Sequence, residues 1–162
     1  MKELFEIMPQ VGSVQWIGIR PSKREPLNKV ESVRATKAVG LDGDHFNGGE
    51  GAKRQVTLIQ SEHIGVVGHI LGKPEIDPGL LRRNIVVSGI NLLALKEQYF
   101  RIGNAVFYGT GNCPPCSRME ENLGAGGYNS MRGHGGITAY VVEDGEIELG
   151  SAVELIPNFE TI

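Results

Sequence analysis

At 162 residues with 40% hydrophobic side chains, the chain holds enough apolar material for one ordinary core, and its composition excludes disordered, collagen-like and coiled-coil architectures. A formal charge of −3 is the wrong sign for non-specific nucleic-acid or membrane-surface binding, which needs a basic excess; no nucleic acid and no membrane is expected, and partners should be small molecules or proteins. The N-terminal MKELFEIMPQ has no apolar run of signal-peptide length and no later run could span a bilayer, so one cytoplasmic domain over residues 1–162 is expected.

Short β-branched or aromatic runs bounded by Gly, Pro, Asn or Asp mark strands at 11–19, 30–38, 54–60, 84–88, 99–102, 104–109, 137–142 and 150–156. Trp16 in the first reads as a core or edge-strand aromatic. The loop at 40–51, GLDGDHFNGGEG, is glycine-dense and runs into Lys53-Arg54; its Asp42 and Asp44 lack EF-hand spacing, which sets calcium aside. Residues 61–72, SEHIGVVGHILG, predict a helix: Ser61 at the N-cap, Glu62 next, Ile64, Val67 and Leu71 at helical spacing, and a closing glycine. Gly65 and Gly68 should weaken it by roughly 1 kcal/mol each. His63 and His69 fall on different faces of that helix and read as surface residues. Arg82-Arg83-Asn84 opens the next strand, a place where paired arginines are commonly solvated. Further on, Ser117-Arg118-Met119-Glu120 is a capping box that sets Cys116 just ahead of a short helix. Asp144-Gly145, between Tyr140-Val141-Val142 and Ile147-Glu148-Leu149, predicts a hairpin with a type I′ turn. Many short strands with few helices predict a mainly β fold, a small β-barrel decorated by short helices.

Chemistry is concentrated late in the chain. Cys113 and Cys116 are the only two cysteines, spaced as Cys-Pro-Pro-Cys. A thiol ahead of a helix meets unpaired N–H groups and a partial positive charge, with Arg118 alongside, which favours a nucleophilic, soft-metal-binding thiolate. The residues alone leave four readings open: a lone reactive thiol, a dithiol–disulfide pair, half of a zinc site completed by His45 and His134, or two small buried hydrophobes. The dithiol reading lacks a surrounding βαβ pattern. Nine of the 23 glycines lie between 101 and 140. In 124–136, GAGGYNSMRGHGG, they let successive N–H groups face one cavity while Arg132 offers a planar fork to a phosphate or carboxylate. The alternative is a flexible surface loop.

Seven pieces then form an ordered set: Gly40-Leu-Asp-Gly-Asp44, Arg54-Gln-Val-Thr-Leu-Ile59, Arg83-Asn-Ile-Val-Val-Ser-Gly89, Ile102-Gly103 followed by Ala105-Val106, Cys113-Pro-Pro-Cys116, Met131-Arg-Gly-His-Gly-Gly136 and Gly145-Glu-Ile-Glu-Leu-Gly150. In this order, over roughly residues 11 to 156, the chain resembles MOSC domains, the C-terminal modules of molybdenum-cofactor sulfurases. The resemblance implies a β-rich, barrel-like fold that binds the molybdenum cofactor, a molybdopterin. Cys116 corresponds to the family's cysteine, the catalytic residue that ligates molybdenum or carries sulfur, and Cys113 to a less constant companion. Implied cofactor contacts are Arg54, Arg83, Asn84, Arg118, Arg132, Gly133, His134 and Gly135. The implied activities are reduction of N-hydroxylated bases or amidoximes, or delivery of sulfur or cofactor. Gly150-Ser151 stands where the family usually has Gly-Asp. The pyridoxal-phosphate domain of full sulfurases and the N-terminal barrel of amidoxime reductases are both missing, so pyridoxal phosphate is not expected and a partner protein should supply electrons or sulfur. The competing class is a small zinc-stabilised binding module without turnover.

Overall fold

Alternation decides which side of each strand turns inward. In β7 (Tyr99–Ile102) Phe100 and Ile102 are buried while Tyr99 and Arg101 are half-buried, and β11 (Ala152–Leu155) buries Val153 and Leu155 in the same rhythm. The computed structural model describes residues 1–46 and 48–160. The remaining strands are β1 (Gly12–Ile19), β2 (Asn28–Val30), β3 (Ser32–Thr36), β4 (Gly40–Leu41), β5 (Val56–Gln60), β6 (Ile85–Ser88), β8 (Ala105–Asn112), β9 (Ile137–Glu143) and β10 (Gly145–Glu148). The helices are α1 (Ser61–Leu71), α2 (Arg118–Leu123) and α3 (Gly127–Met131). No described helix is long and apolar enough to cross a membrane.

Seven strands in the order β11-β7-β8-β9-β5-β6-β1 close into a barrel through pairing of β1 with β11, and β2 extends β1. Closure removes the free edges that an open sheet would expose. Every pairing between these strands is antiparallel except β5 with β6, and a parallel pair needs a crossover, which α1 supplies. The barrel interior is filled by residues such as Ile17, Leu58, Ile85, Val87, Phe100, Phe107 and Ile137. A second cluster, Trp16, Ile59, Val67, Leu81, Val86, Met119, Leu123 and Met131, lies between barrel and helices, so Trp16 is core.

Three local expectations change. Asp144-Gly145 does not close a hairpin: β9 pairs with β5 and β8, whereas β10 leaves for a separate sheet of order β10-β3-β4. Gly145 has no positive φ; it is glycine because a Cβ there would lie 2.3 Å from the Asn104 carbonyl carbon. Asp144 instead accepts the Lys37 N–H at 2.8 Å. Second, α1 starts one residue earlier than its N-cap signal implied, with Gln60 at the cap and the Gln60 side chain occupied by the Leu92 N–H at 3.1 Å. The helix does close on Gly72 in the left-handed region, and Gly68 is explained by packing, since a Cβ would stand 2.8 Å from the Lys73 carbonyl. Third, the capping box does not form. Ser117 is helical and makes no side-chain cap, and Glu120 turns away to accept the Gly126 and Tyr128 N–H groups at 3.0 Å each.

Candidate functional site

Arg82 has φ of +59°, a left-handed conformation that ends the 3-10 turn Pro78–Leu81 and breaks the side-chain alternation just before β6. Arg82 and Arg83 therefore take different surroundings. Arg82 is half-buried and lines a cavity; Arg83 is 4% exposed. Its guanidinium spends Nε on the Gly135 carbonyl at 2.8 Å, Nη1 on Leu81 at 3.1 Å, and Nη2 on Cys113 and Pro114 at 3.1 and 3.3 Å. Burial holds its pKa below the ordinary arginine value, a cost these four carbonyls offset. Arg83 thus clamps the cysteine loop to the loop before β9. Asn84 is similarly occupied: Oδ1 accepts from the Thr57 N–H and hydroxyl at 3.1 and 3.2 Å, and Nδ2 donates to the Gly18 carbonyl at 3.1 Å.

The clamp presents the two thiols differently. Cys113 is buried, with Arg54 Nη2 3.8 Å from its sulfur and its N–H donated to the Gly136 carbonyl at 2.9 Å, whereas Cys116 is exposed. Both are free thiols. Cys116 lines a cavity of about 260 Å³ together with Arg20, Asp44, Arg54, Thr57, Arg82, Arg83 and Asn84.

Four arginines against one carboxylate make this cavity strongly positive in a chain of net charge −3. Asp44 is already committed, its Oδ1 accepting the Arg20 N–H at 2.8 Å and the Asn84 amide at 3.4 Å. None of the four arginines is in an ion pair with a carboxylate among the described residues. Burial, then the neighbouring Arg20 and Arg118, hold the Arg82 pKa below its usual range. Arg20 Nε is buried without a hydrogen-bond partner among the described residues. Arg20 is itself half-buried, and an unpaired buried donor costs about 1–3 kcal/mol unless a ligand or water completes it. The arrangement therefore fits the anionic end of a ligand, held by guanidinium forks beside an accessible sulfur. The volume lies below the ~300–1,000 Å³ of full small-molecule sites, so a larger ligand would be only partly enclosed.

The other implied contacts lie elsewhere. Arg132, Gly133 and Gly135 line a different cavity of about 400 Å³ with Cys113, Pro114, Pro115 and Tyr128. Arg132 is exposed, and Gly135 lies beneath the cysteine loop, its Cα so close to the Cys113 carbonyl that a Cβ would stand 2.2 Å from it. His134 meets the ring of His63 at a centroid distance of 5.4 Å, and its Nδ1 is 3.0 Å from the Ser130 carbonyl. His63 is consequently half-buried rather than a surface residue, and burial first, then His134, lowers its pKa. Arg118 is half-buried beside Arg82. No group of three His, Cys, Asp or Glu residues that could share a metal ion occurs among the described residues, and His45 is exposed. Ser151 closes a turn, its hydroxyl accepting the Glu148 N–H at 2.9 Å. Asn47, inside the glycine-dense loop, lies outside the described residues.

Sequence reasoning missed Arg20 and Arg82. Strand parity gave no signal for the second, because the left-handed Arg82 breaks the alternation before β6. Nothing local marks Arg20.

Fold and site together define a class, small closed β-barrels that set an exposed thiol beside an anion-attracting cavity. The chain belongs to the MOSC domain family, which matches residues 43–154. It is similar in structure to the YuaD protein of Bacillus subtilis, with 21% identity, a TM-score of 0.77, and coverage of 90% of this chain and 95% of that one. The YiiM proteins of Geobacillus stearothermophilus (18% identity, TM-score 0.72, 90% of this chain and 75% of that one) and Escherichia coli (16%, 0.67, 93% and 72%) share the fold as well. No curated protein matches the sequence.

Proposed function

We propose that this protein binds a molybdenum pterin cofactor, with Cys116 as its sulfur ligand or sulfur-carrying residue. The observation that carries the reading is the four-arginine cavity that also contains Cys116, in which Arg20 Nε is buried with no hydrogen-bond partner among the described residues. Arg20, Arg82 and Arg54 hold the phosphate end, and Arg118 adds positive field from beside Arg82. Arg83 and Asn84 act from behind, fixing the loops that carry Cys116 and Asp44. Arg132, Gly133 and His134 meet the ligand only where it extends past the cysteine loop. When bound, the cofactor supplies a redox-active metal centre. Cys116, exposed at the cavity, is also reachable by a partner protein that brings electrons or sulfur. Reduction of N-hydroxylated bases is the enzymatic form of this proposal, and delivery of sulfur or cofactor the non-enzymatic one.

The test is cofactor loading of the purified protein, read as molybdenum and oxidised pterin per chain, followed by turnover on an amidoxime with a supplied electron donor. Arg82→Ala should lose one charge-assisted contact worth roughly 1.5–3 kcal/mol, about tenfold or more in retention, with an unchanged melt. Stoichiometric zinc without molybdenum, or equal retention by Arg82→Ala and the parent, would reject the assignment.

A further inference from the structure

The barrel's outer face carries a second cavity, remote from the chemistry of Cys116. Strand register sets Tyr99 opposite Tyr108 and Tyr108 opposite Tyr140, so three rings form a row across β7, β8 and β9. Their centroids are 4.9 and 5.5 Å apart, and Phe159 adds a fourth ring 4.8 Å from Tyr99. This row lies outside because its neighbours Phe100 and Phe107 point inward. Tyr99, Tyr140 and Phe159 line a cavity of about 540 Å³, which falls in the ~300–1,000 Å³ range of small-molecule sites.

Besides Gly51, Val141 and Val142, the remaining lining is charged and mainly acidic. Glu50, Glu143, Asp144 and Glu160 face one cation, Lys37, and none of these five is in an ion pair among the described residues. Four carboxylates repel an anion, so the occupant is cationic or neutral. A bare metal ion is a poor match, because aromatic walls offer it no ligands and these acids are not grouped closely enough to share one. Ring faces attract an organic cation through their quadrupole, more strongly where water is excluded. We propose that this cavity is a binding site for a small alkylated ammonium compound, its positive group against Tyr140, Tyr99 and Phe159 and its charge complemented by Glu143 and Glu160. Lys37, Phe159 and Glu160 fall outside the residues 43–154 that match the family, whereas Glu50, Tyr99, Tyr140, Glu143 and Asp144 fall inside them.

Titration calorimetry of the full chain with choline, and with its neutral carbon isostere 3,3-dimethylbutan-1-ol, tests the assignment. Choline should bind saturably and about tenfold or more tighter than the isostere. Tyr140→Phe should retain that affinity, Tyr140→Leu should weaken it about tenfold, and Glu143→Gln with Glu160→Gln, on the exposed rim, should weaken it with the fold intact. Thermal melts accompany each variant. Equal affinity for the two probes, no choline binding up to about 10 mM, or parental choline affinity in the Glu143→Gln/Glu160→Gln variant overturns the proposal.

Discussion

Cys113 and Cys116 are three residues apart and chemically alike, yet the chain treats them oppositely. One sulfur is sealed behind Arg54 and the carbonyls that Arg83 holds; the other stands on an open cavity. Access alone then separates their reactivity. Iodoacetamide should alkylate Cys116 well before Cys113 in the folded protein, read by peptide mass spectrometry, and the reverse order would contradict the burial. Cys116→Ala should leave the melt unchanged and abolish cofactor-dependent function. Cys113→Ala should cost about 1 kcal/mol of stability, from a small buried group lost, and keep part of the function. Dependence of function on both sulfurs would instead indicate a redox dithiol.

At the scale of the element, α2 and α3 are too short to persist by themselves, and Glu120 joins them by accepting the Gly126 and Tyr128 N–H groups. Those two bonds lower the Glu120 pKa, the Tyr128 bond first. A carboxyl with a depressed folded pKa contributes stability above its unfolded value of about 4.3 and loses it as pH falls through the folded value. Glu120→Gln should therefore melt below the parent at pH 7, and the difference should shrink on acidification below about pH 4. Melts of both proteins across that range decide it, and a gap independent of pH would remove the charge from the explanation. The same elements carry Met119, Leu123 and Met131 into the cluster over the barrel, so loosening them also loosens the support of the cysteine loop.

For the whole molecule, the joint between the barrel and the three-stranded sheet runs through Gly145. Its Cα lies against Asn104 and Ala105, with a Cβ 2.3 Å from one and 2.5 Å from the other. Gly145→Ala should cost about 2–3 kcal/mol, because backbone on both sides has to separate, and urea unfolding measures it. A loss below about 0.5 kcal/mol would mean that the two sheets slide freely. Gln55 makes a second tie: its amide spans the Lys37 and Gly49 carbonyls at 3.0 and 3.2 Å and the Val141 N–H at 2.8 Å. Loop, barrel and small sheet are thereby held in one register around the arginine cavity.

Periodicity and turn chemistry were enough to read most strands, α1 and the β-barrel class, because alternation, β-branching and glycine stops act over a few residues and leave a local trace. The ordered motifs carried the family, which the match over residues 43–154 bears out. Pairing partners were not local. Asp144-Gly145 carries a hairpin's signature while β10 pairs with β3, more than a hundred residues away in sequence, because burying Val33, Ala35 and Ile147 outweighs a turn preference of about 1 kcal/mol or less. Ser117 and Glu120 have capping-box spacing, yet Glu120 finds two N–H groups that exist only once α3 has docked. The arginines divide in the same way. That Arg83 became a buried clamp while Arg82 and Arg20 face the cavity depends on barrel closure, which brings residue 20, residue 54 and residues 82–84 together beside Cys116 from four separate parts of the chain.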